Sequence, residues 1–172
     1  MRPAKIAVTS LLIAVVAVAT LAVRIPIVGT RGYFNLGDSA IFISALLFGP
    51  LAGAAAGGVG SALADLLSGY TVYAPFTLVI KGIEGFLVGR IFSAFGTDLR
   101  RGRGVLAAAF AVLLGGAWMM TGYLIAERFM VGWPAALSEL PWNFFQAIFG
   151  LAISLPVSVG LDRAEVKSIW ER

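Results

Sequence analysis

The chain has 172 residues, of which 59% are hydrophobic and 13% charged, and a mean hydropathy of +0.92. A water-soluble domain averages about 45–50% apolar and about 25% charged residues, so a polytopic membrane protein fits better than a soluble globule, and a disordered chain is excluded. Without cysteine or histidine there is no disulfide, thiolate or imidazole metal site, and no histidine base. The net charge of +4 flanks apolar segments rather than lining a polar face, which argues against nucleic-acid binding. The composition reads as one all-α integral membrane domain over residues 1–172.

In chain order, residues 6–23 are 18 uncharged positions, enough to span a bilayer. Arg2 and Lys5 precede them as in a signal peptide, but the run ends at Arg24-Ile25-Pro26 without a small-x-small cleavage pattern. We read it as a retained helix. Residues 39–64 are uncharged but broken by Gly49-Pro50, and proline interrupts a helix. The expectation is a short helix over 36–48 and a second over 50–67. Residues 75–95 predict a helix carrying Lys81, Glu84 and Arg90. Uncharged runs over 104–126 and 140–161 complete six predicted helices. Loops rich in Gly, Tyr, Trp and Pro are expected at 29–37, 68–74 and 126–141.

Charge placement orients the bundle. Arg100, Arg101 and Arg103 form the strongest basic cluster, and basic loops stay cytoplasmic. Six helices with a cytoplasmic N-terminus put that cluster inside, together with Arg2, Lys5, Arg90, Arg163, Lys167 and Arg172. Only Arg24, Arg31 and Arg128 are left outside. A single span over 39–67 would turn the cluster outward, so six helices with both termini cytoplasmic are preferred. The helix over 36–48 rises only about 20 Å against a core near 30 Å and must rest on protein or a cavity. No internal repeat supports an inverted-repeat transporter.

Three features carry chemistry. Small residues recur every four positions at Gly49, Gly53, Gly57 and Ser61, and again at Ala52, Ala56, Gly60 and Ala64. Such stripes let helix backbones approach, within the bundle or against another membrane protein. Next, Asp65, Lys81 and Glu84 fall inside predicted spans, where ionisable groups are costly and face an interior, a cavity or each other. Lys81 pairs with Glu84 at i,i+3 or with Asp65, or one end of the pair meets a polar ligand. Finally, aromatic and amide residues cluster towards one end: Tyr33, Phe34 and Asn35 with Asp38; Tyr70, Tyr73 and Phe76; Trp118 and Tyr123; Trp133, Trp142 and Asn143 with Gln146. An interfacial belt accounts for the aromatics. Buried amides need partners, and beside aromatic faces they suit a flat heterocycle.

Four stretches together resemble the substrate-binding S components of energy-coupling factor (ECF) vitamin transporters. They are Gly32-Tyr-Phe-Asn-Leu-Gly-Asp38, Leu47-Phe-Gly-Pro-Leu-Ala-Gly53, Gly58-Val-Gly-Ser-Ala-Leu-Ala-Asp-Leu-Leu-Ser-Gly-Tyr70 and Ala74-Pro-Phe-Thr-Leu-Val-Ile-Lys-Gly82. The likeness is to hydroxymethylpyrimidine- and pyridoxine-type members, near the riboflavin type. It covers residues 4–95, with the second half similar only in its six-helix layout. The resemblance implies capture of a vitamin at the outer face of a prokaryotic cell membrane. It further implies delivery through a transmembrane T subunit driven by two ATPase subunits, so that ATP is hydrolysed by partners and this chain needs no cofactor. Asn35, Asp38, Tyr73, Lys81, Glu84, Trp118, Asn143 and Gln146 are the expected substrate-binding residues. Many members carry Ala-x-x-x-Ala in the first helix for docking the T subunit. Here Ser10 and Ala14 hold the nearest such spacing, and Gly53 and Gly57 are expected to share that face.

The chain has no Walker A pattern and no evident nucleophile–base set, so an enzyme is not expected. A riboflavin-specific S component, a stand-alone ion-coupled permease using Asp65, Lys81 and Glu84, and a purely structural assembly protein stay open as alternatives.

Overall fold

The computed structural model describes residues 3–27, 32–95 and 98–171. Helix α1 (Pro3–Ala22) is followed by β1 (Arg24–Pro26) and β2 (Tyr33–Asn35). Next come α2 (Gly37–Phe48), α3 (Pro50–Ala55), a π-helical turn (Ala56–Gly60) and α4 (Ser61–Leu67). The remaining helices are α5 (Ala74–Phe95), α6 (Gly102–Met130), α7 (Trp133–Arg163) and the short α8 (Ser168–Glu171). Helix α1, the continuous stretch Pro50–Leu67, α6 and α7 are each long and apolar enough to cross a membrane. Helix α2 is too short at 12 residues, and α5 carries Lys81, Glu84 and Arg90.

The helices close a ring. Helix α1 packs on the π turn and α2, α2 on α7, α7 on α6, α6 on α5, and α5 back on α3, the π turn and α4. Helix α2 also touches α3 and α5, and Ile41 and Phe42 on it are fully buried. Its shortness is tolerated because these neighbours surround it.

The polarity runs opposite to that of a soluble protein. The buried face of α7 includes Glu139, Asn143, Gln146, Ser154, Ser158 and Asp162. Its exposed face carries Leu137, Trp142, Phe144, Phe145, Phe149 and Ile153. Lipid accepts the apolar face, whereas polar groups are stable only where protein satisfies them.

The Gly49-Pro50 break falls as predicted. Gly49 adopts φ 87°, and Pro50 opens α3 at a position where its missing N–H costs nothing. The expected single helix over 50–67 is interrupted by the π turn at Ala-Gly-Gly-Val-Gly. Residues with little side chain there allow contact on two sides. A Cβ at Gly57 would lie 2.4 Å from the Lys81 carbonyl oxygen, and one at Gly60 would lie 2.7 Å from that of Ile13.

Gly53 and Gly57 are therefore corrected as docking residues. A Cβ at Gly53 would lie 2.6 Å from the Gly85 carbonyl oxygen, so α5 already covers both positions. Ser10 and Ala14 are exposed, on a face of α1 shared with Ile6, Leu11, Val15 and Val18.

Two other loop expectations change. Part of 29–37 belongs to an antiparallel hairpin pairing Ile25 with Phe34, and residues 28–31, including Arg31, lie outside the described residues. The expected loop at 126–141 shrinks to Val131 and Gly132, with α6 running to Met130 and α7 starting at Trp133. Pro134 occupies the first turn of α7, where proline is favoured, and Pro141 is accommodated inside the helix.

Candidate functional site

The C-terminal ends of α1, α4 and α6 meet the N-terminal ends of α2, α5 and α7 under the hairpin. They enclose a polar cavity whose wall includes Asn35, Asp65, Tyr73, Lys81, Asn143 and Gln146. Its free space is about 40 Å³, on the scale of one or a few waters rather than a heterocycle.

A buried chain of hydrogen bonds forms the floor. The Asn35 backbone N–H and side-chain amide both donate to Gln146 Oε1, at 2.9 and 3.0 Å. Gln146 Nε2 donates to Asp38 Oδ2 at 3.1 Å. Lys81 Nζ donates to Asp38 Oδ1 and lies 3.2 Å from Glu84 Oε2. Asn35 Oδ1 accepts the Gly37 N–H at 2.8 Å, which fixes the start of α2. Asp38 in the first turn of α2 also suits the positive end of that helix. The hairpin, α2, α5 and α7 are thus tied together through charged and amide groups excluded from water.

The rim is aromatic. Tyr33 O–H donates to Asp65 Oδ1 at 2.5 Å, and its ring meets Tyr70 edge-on at 4.8 Å. Burial, and then the neighbouring Asp65 charge, hold the Tyr33 phenol well above the ordinary tyrosine range. The Arg24 guanidinium sits 5.7 Å from both the Tyr33 and Tyr70 rings. Thr77 Oγ1 and Tyr123 O–H share a hydrogen bond at 3.0 Å.

Of the expected binding residues, Asn35, Tyr73, Lys81, Asn143 and Gln146 line the cavity. Asp38 and Glu84 lie behind Lys81 as its partners rather than on the wall. Trp118 is corrected: it is not on the wall, and its indole N–H donates to the Ile80 carbonyl at 3.0 Å. The Lys81–Asp65 alternative is also replaced, because Asp38 takes that place and Asp65 holds Tyr33.

Sequence reasoning missed Glu127 and Glu139, which line the cavity from α6 and α7. Both fell in the expected outer loop. The signal was present in Glu139, Asn143 and Gln146, spaced i, i+4 and i+7 along one helix face.

Residues 1–163 match the family model described as "ECF-type riboflavin transporter, S component". The chain belongs to this S-component family. A Lactococcus lactis relative, "Thiamine precursor transporter HmpT", is 31% identical over 142 residues, covering 82% of this chain and 77% of that protein. A Pyrococcus woesei relative, "Uncharacterized protein in gap 3'region", is 46% identical over 138 residues, covering 80% of this chain and 88% of that one. The S-component family consists of membrane transporter subunits rather than enzymes.

Proposed function

We propose that this S component captures a small pyrimidine- or pyridine-type vitamin, or a precursor of one, at the outer face of a prokaryotic cell membrane. It hands the ligand to a T subunit driven by two ATPase subunits. The carrying observation is the polar cavity closed by the hairpin at one end of an otherwise lipid-compatible bundle. Lys5, Arg90, Arg100, Arg101, Arg103, Arg163 and Lys167 belong to the other end, whereas Arg24 and Arg128 flank the cavity end. The rule that basic loops stay inside makes the cavity end external and supports six spans with both termini cytoplasmic.

Asn35, Tyr73, Lys81, Asn143 and Gln146 form the binding wall, and Asp38 and Glu84 hold Lys81 in place. The aromatic rings supply stacking area, and the amides and Lys81 read heteroatoms. Because the free space is so small, the hairpin or the 68–73 turn must move to admit a ligand. The relative HmpT, described as a thiamine precursor transporter, supports the pyrimidine class. The description of the family model favours riboflavin as the second reading. On α1, the exposed Ser10 and Ala14 face is where the T subunit docks.

Thermal melting of the detergent-purified chain against hydroxymethylpyrimidine, pyridoxine and riboflavin tests the capture role. The expected result is a raised Tm with the pyrimidine or pyridine compound. A rise with riboflavin alone would favour the second reading, and no rise with any of them would contradict capture.

A further inference from the structure

The hairpin over the cavity has two faces. Its register sets Arg24 opposite Asn35, Ile25 opposite Phe34 and Pro26 opposite Tyr33. Side chains directly opposite share a face, and successive ones along a strand alternate. Tyr33 and Asn35 accordingly line the polar cavity, whereas Ile25 and Phe34 turn away from it. On that far side Phe34 meets Phe149 of α7 edge-on, with ring centroids 5.8 Å apart. An open groove runs between the hairpin and α7, and its wall on the helix includes Trp142, Phe145, Phe149 and Ile153. Among the described residues no polar atom reaches that wall. The free space is about 550 Å³, more than ten times the 40 Å³ of the polar cavity.

Chemistry, position and length select the occupant. A wall without donors or acceptors leaves the heteroatoms of a vitamin, or the backbone of a peptide, unpaired. The groove continues the exposed apolar side of α7, so a hydrocarbon chain reaches it without leaving the bilayer. From Trp142 to Ile153 the helix rises about 16 Å, close to half of a hydrocarbon core of about 30 Å. That is the depth of one leaflet. Transfer from bilayer to groove gains little hydrophobic free energy, because both are apolar. Dispersion favours the seated chain instead, since it touches side chains of both the hairpin and α7.

We propose that this groove seats one acyl chain of a phospholipid from the leaflet on the cavity side, and that the seated chain props the hairpin over the cavity. Each hairpin strand has only 3 residues. Its cavity face is held by the bonds from Asn35 to Gln146 and from Gly32 to Glu139. The acyl chain supports the opposite face. Lipid occupancy and hairpin closure are thus coupled, and each strengthens the other. The hairpin's role as a lid rests on the capture reading, but the lipid seat does not.

A phosphatidylcholine brominated on one acyl chain, which quenches tryptophan on contact, tests the seat in the detergent-purified full chain. One variant keeps Trp142 alone, through Trp118→Phe, Trp133→Phe and Trp170→Phe. A second keeps Trp133 alone, exposed at the start of α7 and outside the groove. Quenching of Trp142 is expected to saturate at one lipid per chain, whereas that of Trp133 should only track the lipid content of the micelle. In the wild type, unbrominated lipid is expected to slow hydrogen exchange of the hairpin amides over 32–35 at least about fivefold, the low end of coupling between two sites. Ile25→Phe with Ile153→Phe fills the groove and should abolish both effects. If that variant fails to fold, native mass spectrometry of the wild type replaces it, with one retained lipid expected and none overturning the proposal. Unsaturable quenching, equal at both tryptophans, would mean bulk lipid contact only and overturn the seat. Saturation without slowed exchange would overturn the coupling. A dimer that shields Trp142 from lipid would give the groove to a second copy and overturn the proposal as well. None of these measurements includes a vitamin, so capture fails separately, by the absence of a Tm rise with any vitamin.

Discussion

Lys81 is the residue on which the cavity floor depends. Its ammonium is buried between Asp38 and Glu84, both almost wholly removed from solvent. Removing one partner of a buried ionic group leaves the other uncompensated, which typically costs about 3–5 kcal/mol. Lys81→Met is therefore expected to lower the Tm of the purified chain sharply. Adding Asp38→Asn and Glu84→Gln to it should recover much of the loss, because the stranded charges are gone. A triple variant no more stable than Lys81→Met would show that shape, not charge, dominates. Trp118 gives a contrasting case. Trp118→Phe removes one hydrogen bond to the Ile80 carbonyl, worth about 1 kcal/mol, and should leave ligand affinity unchanged in a titration. These two residues also mark what was legible in the sequence. Charges inside an apolar run announced the buried site, and the i,i+3 spacing revealed Glu84 as one partner of Lys81, but the other, Asp38, comes from α2, 43 positions away, where no local spacing reveals it. Trp118 matched the aromatic pattern, yet the rotation of α6 points it at α5 instead.

At the scale of elements, the glycines of the π turn and of α5 set how closely two helices approach. A Cβ at Gly57 would press on the Lys81 carbonyl oxygen, whereas one at Gly82 would meet nothing nearer than 3.6 Å. Gly57→Ala is thus expected to destabilise by about 1–3 kcal/mol, as overpacking does, and Gly82→Ala to be nearly neutral. Comparing their melting curves with the wild type checks the difference. The helix–helix break at Gly49-Pro50 was readable because proline and glycine act locally. The hairpin strands, only 3 residues each, were not, since so short a pairing depends on packing over the cavity. The full length of α7 was hidden for a related reason. The charge of Glu139 ended the uncharged run at 140, but the helix extends past it to Trp133, carrying Glu139 onto the inner face.

For the whole molecule, the inside-out polarity and the basic end were both visible in composition and charge order. The ring arrangement was not, because it brings α2 and α7 together across more than 100 positions. The exposed face of α1 leads to a prediction at this scale. Ala14→Trp adds bulk to that face without touching the cavity. It should leave Tm and ligand affinity unchanged while abolishing uptake in cells that supply the T and ATPase subunits. Wild-type uptake by that variant would place the docking face elsewhere.

The most direct test of vitamin capture is native mass spectrometry of the purified chain with hydroxymethylpyrimidine, pyridoxine and riboflavin offered together. The account predicts a one-to-one complex with the pyrimidine or pyridine compound. No adduct with any of the three, together with uptake that needs no ATPase subunit and stops when the ion gradient collapses, would contradict it.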